Sequence, residues 1–87
     1  MECRIFKYEA DENGTYLVPD AAARVVLVAQ QGASVFPFIW CKVTVSATLG
    51  SSRYQCIGTG HHVERDSVIV GSAVCGEYVW HVVRITA

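Results

Sequence analysis

DAAARVVLVAQQ, residues 20–31, can be read as a helix or as a strand, and the choice decides whether the chain mixes helix with sheet or is built of strands alone. Pro19 and Asp20 resemble a helix start, with the Asp20 carboxylate able to accept backbone N–H bonds as N-cap. Gly32 suits the position just past a helix end. Asp20, Arg24 and Gln31 fall on one helical face, and an Asp20–Arg24 pair one turn apart adds a few tenths of a kcal/mol. Val25, Val26 and Val28 oppose this, each costing about 0.5 kcal/mol relative to alanine. A cap contributes about 1 kcal/mol and offsets two of them. The balance predicts a helix over residues 20–31.

On either side the pattern is strand. Residues 3–8 read as a first strand, and Asn13-Gly14 in the polar stretch after it is a turn signal. Tyr16, Leu17 and Val18 form a short return strand before Pro19. From Phe38 to Thr48 the side chains alternate: Ile39, Cys41, Val43, Val45 and Ala47 face one way, Lys42, Thr44, Ser46 and Thr48 the other. Pro37 cannot donate a ladder bond and marks a strand start or an edge. A turn over 49–52, a strand over 53–58, a polar loop over 59–66 and two strands over 67–74 and 77–86 complete the chain. Short connections predict antiparallel pairing of sequential strands. The expected architecture is α+β, one helix packed on an antiparallel sheet of four to six strands. The alternative is an all-β small barrel.

Length and composition bound the class. Eighty-seven residues make one small domain, 52% hydrophobic and only 17% charged, against about 45–50% and about 25% for an average soluble domain. So apolar a surface on so small a body predicts a homodimer or a higher oligomer. A net charge of −1 and scattered Lys and Arg residues lack the basic patch of a nucleic-acid domain, so no nucleic acid is expected. Met1 is followed by Glu2 with no apolar segment of a signal peptide. The longest apolar run, over residues 25–29, is too short to span a bilayer. The expectation is a cytoplasmic protein that does not enter a membrane. Cys3, Cys41, Cys56 and Cys75 are widely spaced with no C-x-x-C pair, as expected for reduced, buried thiols.

The candidate chemistry is thin. Gly60-His61-His62-Val63-Glu64-Arg65-Asp66 is the densest polar cluster, and His61, His62 and Glu64 are the weak metal candidates. A zinc set drawn from Cys56, His61 or His62, Cys75 and His81 matches no ligand spacing. The His62-x-Glu64 step lacks the later Pro-Cys-x-x-Cys of a zinc deaminase. Gly58-x-Gly60 is a fragment of a phosphate-binding turn without its context. No triad can be assembled around His81, which shares strand parity with the apolar Val79, Val83 and Ile85. Neither catalytic residues nor a cofactor is predicted.

Two runs of large aromatics ending in a cation stand out. Phe38, Trp40 and Lys42 share one strand face, and Tyr78, Trp80 and Arg84 share another. Interface hot spots are rich in Trp, Tyr and Arg. With the more apolar odd-numbered set (Ile39, Cys41, Val43, Val45, Val79, Val83, Ile85) assigned to the core, these six residues form the predicted partner-binding surface. The chain then reads as a small non-enzymatic protein-interaction domain, self-associating through an aromatic sheet face and acting as an accessory, inhibitor or adaptor protein. The alternatives are a β-rich binder of small molecules around an apolar pocket and a metal-dependent activity at His61, His62 and Glu64.

Overall fold

The computed structural model describes residues 2–45 and 50–85. Seven strands run in chain order: β1 (Cys3–Tyr8), β2 (Thr15–Val18), β3 (Arg24–Ala29), β4 (Phe38–Thr44), β5 (Ser52–Gly58), β6 (Val68–Cys75) and β7 (Tyr78–Ile85). They form a three-stranded sheet in the order β1-β4-β3 and a four-stranded sheet in the order β2-β5-β7-β6. Every pairing is antiparallel. The described residues contain no helix, so the expected α+β class is wrong and the all-β alternative fits.

The error lies in residues 20–31. The Asp20 carboxylate does accept the Ala22 N–H at 2.9 Å, as a cap would, but its second oxygen accepts the Thr44 N–H of β4 at 2.7 Å. The carboxylate therefore closes a turn against the neighbouring strand. The chain then extends as β3, where Val25 lies opposite Cys41 and Val28 opposite Ile39, adding two partly buried valines to the core. Three β-branched residues in four positions suit a pleated, half-buried surface better than a helix. Packing settled what local propensity left balanced.

The topology also departs from sequential pairing. Only β3–β4 and β6–β7 are neighbours in both sequence and sheet; β1 pairs with β4, β2 with β5 and β5 with β7. Three of the six connections, β1–β2, β2–β3 and β4–β5, cross between the sheets rather than turning within one. The expected continuation of β4 through Ser46, Ala47 and Thr48, and Leu49 of the following turn, lie outside the described residues.

Between the sheets sit Tyr16, Val18, Ile39, Cys41, Tyr54 and Val82, all essentially sealed from solvent, with Val43 and Cys56 beside them. Tyr16 places its hydroxyl where it donates to the Pro37 carbonyl at 2.5 Å and meets the Cys56 sulfur at 3.1 Å, so this buried phenol is satisfied. Gly14 adopts φ +77°, and a Cβ there would stand 3.1 Å from the Phe36 ring. Both facts account for the Asn13-Gly14 step. On the far side Gly71 lets β6 come against β3: a Cβ on it would lie 2.5 Å from Val28 Cγ2.

On β4 the odd-numbered residues Ile39, Cys41 and Val43 face the core as expected, while Val45 beyond its end is exposed. On β7 the parity is the reverse of the expectation. Trp80 and Val82 face inward, Val79 and Ile85 are exposed, and Val83 is buried on the outer side of the sheet. Trp80 is flanked across the ladder by Gly58 and Ala73, which leave room for an indole. The opposite choice would have sent the His81 imidazole into the core.

Candidate interaction surface

The register brings one of the two aromatic runs to an open face. In an antiparallel ladder, directly opposed residues project to the same side. Trp40 lies opposite Lys7 of β1 and Leu27 of β3; Lys42 lies opposite Ile5 and Arg24; Phe38 lies opposite Ala29. The outer face of the three-stranded sheet thus presents Ile5, Lys7, Arg24, Leu27, Phe38, Trp40 and Lys42 together. Ile5 and Leu27 are 58% and 51% exposed, and the two aromatic rings are partly covered by their neighbours. Phe38 and Trp40 are tilted at 54° with centroids 6.4 Å apart, an ordinary aromatic-pair geometry. Lys7 Nζ stands 5.0 Å from the Phe38 ring centroid and donates to Gln31 Oε1 at 2.6 Å. Among the described residues, no carboxylate forms an ion pair with Lys7, Arg24 or Lys42.

The second run is spent elsewhere. Trp80 packs against Phe36, with ring centroids 5.0 Å apart, and donates its indole N–H to the Val35 carbonyl at 3.1 Å. Tyr78 stacks on Trp80 at 5.9 Å and is 64% exposed. Arg84 reaches across the sandwich and donates to the Ala21 and Ala23 carbonyls at 2.6 and 3.5 Å. Ser52 donates to the Asp20 carbonyl at 2.5 Å and Tyr54 to that of Ala23 at 3.4 Å. Arg84 is therefore a clamp between the four-stranded sheet and the turn that leads into β3. The six residues do not share one surface: Phe38, Trp40 and Lys42 lie on the outer face of the three-stranded sheet, Tyr78 and Trp80 at one end of the sandwich, and Arg84 on the turn over residues 20–23.

The histidines form no common centre. His62 Nε2 meets Glu64 Oε1 at 3.1 Å with both side chains over 80% exposed, while the His61 ring lies against Gly58. Among the described residues, no group of three or more His, Cys, Asp and Glu side chains is placed to hold a metal ion. His81 lies on the outer face of the four-stranded sheet, its Nδ1 2.7 Å from Ser72 Oγ and its Nε2 3.0 Å from Thr59 Oγ1. Both ring nitrogens are thereby satisfied. Beside it the loop over residues 59–67 and the strands enclose a depression of about 310 Å³, lined by Ile57, Val83 and Ile85 with His62, Glu64 and Asp66 at its rim. Between the sheets, Tyr16, Val18, Ile39, Cys41, Tyr54 and Val82 pack as the core.

Burial raises the thiols of Cys41 and Cys56 to about 11 and pushes that of Cys75 up, which leaves Cys3 as the exposed cysteine. The buried Asp20 carboxyl is held below its usual range by the N–H groups of Thr44 and Ala22. These shifts belong to the core and the turn, away from the open face.

Four contributors to that face were absent from the predicted surface. Ile5 and Lys7 were legible as alternate positions of the first strand. Arg24 and Leu27 were not, because a bulge at Val26 shifts the register between Val25 and Leu27 and puts residues three apart on one face. The match to known proteins adds one fact. The chain belongs to the DUF7352 family, a domain of unknown function, which it matches over residues 1–86. No curated protein and no solved structure matches it. Both sheets of this DUF7352 domain lie within the matched span, and no helix among its described residues is long and apolar enough to cross a membrane.

Proposed function

We propose that the protein works as a small interaction domain whose docking surface is the outer face of the three-stranded sheet. The observation that carries this is the set of cross-strand rows Lys7–Trp40–Leu27 and Ile5–Lys42–Arg24, which sets apolar side chains beside cations that have no ion pair among the described residues, over an uncovered sheet. Aromatic and aliphatic anchors ringed by polar side chains are the composition of a binding hot spot. Elsewhere on the molecule, His81 bonds Ser72 through one ring nitrogen and Thr59 through the other, and His62 with Glu64 stands in solvent.

Two serine substitutions decide the matter. Trp40→Ser should leave the thermal midpoint nearer wild type than Trp80→Ser does, while abolishing association. Association is read by sedimentation of the purified protein and by cross-linked adducts in the cells that make it. A Trp40→Ser protein that loses its fold, or one that keeps every adduct, would remove the face from consideration.

A further inference from the structure

The open face carries a charge gradient along its strands. Lys42 and Arg24 form one row; Trp40, Leu27 and Lys7 form the next; Phe38 and Ala29 form the third. Beyond Phe38 lie acids: Glu9, Asp11 and Glu12 line a shallow depression together with Phe36 and Phe38. The Lys7 ammonium lies over the Phe38 ring, toward this acidic end and away from the Trp40 row. Successive rows on one side of a strand are about 7 Å apart. The cation row and the Phe38 row beside the acids are therefore equidistant from Trp40.

That arrangement is self-complementary in one sense only. Two copies stacked face to face are related by a two-fold axis lying in the interface. If the axis runs along the strands, Lys42 and Arg24 meet their own counterparts, which is repulsive. If it runs across the strands at Trp40, strand directions are reversed between copies. Each strand then lies over its own counterpart, so Lys42 comes over the other copy's Phe38 and beside the acids that follow β1, Arg24 over Ala29, with the indoles at the centre. Isologous dimers require a patch that matches itself in this way, and packed sheets about 10 Å apart leave lysine and glutamate side chains within reach of each other. We infer that the partner of this face is a second copy of the chain, docked antiparallel about Trp40 with Lys42 reaching the acids at Glu9, Asp11 and Glu12. The inference rests on the interaction reading above and names its partner.

Charge exchange tests it. Lys42→Glu and Glu9→Lys are exposed surface changes, and each places like charges together twice in a symmetric dimer. Sedimentation should show the wild type as a dimer that weakens with added salt, and each variant weakened by about tenfold or more. Mixing the two variants one to one should restore association, because both contacts of the mixed pair are then of opposite sign. The double variant Glu9→Lys/Lys42→Glu should dimerise by itself for the same reason. A wild type that stays monomeric would overturn the second copy as partner while leaving a different docking protein, which the Trp40→Ser adducts decide separately. A dimer indifferent to both reversals, or a mixture no better than its components, would overturn it as well.

Discussion

At the scale of single residues, Asp20 shows how one side chain can satisfy two opposed readings. Its carboxylate makes the bond expected of a helix cap and a second bond to β4, and the second decides the geometry. Both bonds favour the charged form, so the folded-state pKa is depressed. The stability this gives is present above the unfolded value of about 3.9 and is lost as pH falls through the lower folded value. Asp20→Asn should lower the urea midpoint at neutral pH, and its midpoint should fall less steeply than that of wild type on acidification below about pH 5; parallel pH profiles would show that the carboxylate does not titrate with folding. The cysteines give a second residue-level outcome. Cys3 is exposed, whereas Cys41, Cys56 and Cys75 are buried, with thiols raised by burial. A thiol reagent at neutral pH should label Cys3 alone in the native protein and all four after denaturation. Rapid native labelling of Cys41 would contradict the packing of β4.

At the scale of elements, the strands were largely legible and their faces only partly so. β1, β2, β4, β5, β6 and β7 fall where alternation and turn residues placed strands, and Gly14 turns the chain as Asn13-Gly14 implied. β3 was not legible, because its propensities balance and the deciding terms are the Val25 and Val28 contacts with β4 and the Thr44 bond to Asp20. The candidate surface divided for a related reason. Phe38, Trp40 and Lys42 face outward because Ile39, Cys41 and Val43 face the core, a choice the alternation makes visible. Trp80 and Arg84 were set by partners from distant chain, Val35 and the turn over residues 20–23, that no local pattern reports. Gly71 is the same kind of case, since its reason is Val28 on another sheet. Gly71→Ala should destabilise by about 1–3 kcal/mol through the clash with Val28. Val28→Ala in the same chain should recover part of that loss, measured as the coupling in a double-mutant cycle. Independent, additive effects would mean that β3 and β6 do not meet at this point.

At the scale of the whole molecule, the order in which the chain visits its sheets matters more than any one contact. It passes from the three-stranded sheet at β1 to the four-stranded sheet at β2, returns for β3 and β4, and crosses again to β5, β6 and β7. β1 cannot pair before β4 is made, nor β2 before β5, so neither sheet is complete until the other is nearly so. The crossing from β2 to β3 is tied by side chains of the four-stranded sheet, with Ser52, Tyr54 and Arg84 all bonded to the turn over residues 20–23. Such interleaving predicts one cooperative unit rather than two layers melting separately. It also predicts folding in the millisecond-to-second range common to sheets built from distant pairings. The two tryptophans make this measurable, because Trp40 stands on the outer face of one sheet and Trp80 packs between the other sheet and Phe36. Trp40→Phe and Trp80→Phe leave one reporter each. Their fluorescence transitions in urea should superimpose once each is compared with the far-UV circular dichroism of the same protein. A Trp40 signal that moves before the Trp80 signal would show the three-stranded sheet opening alone. The outer face would then be a separable layer, and a docking partner would have to hold it in place as well as recognise it.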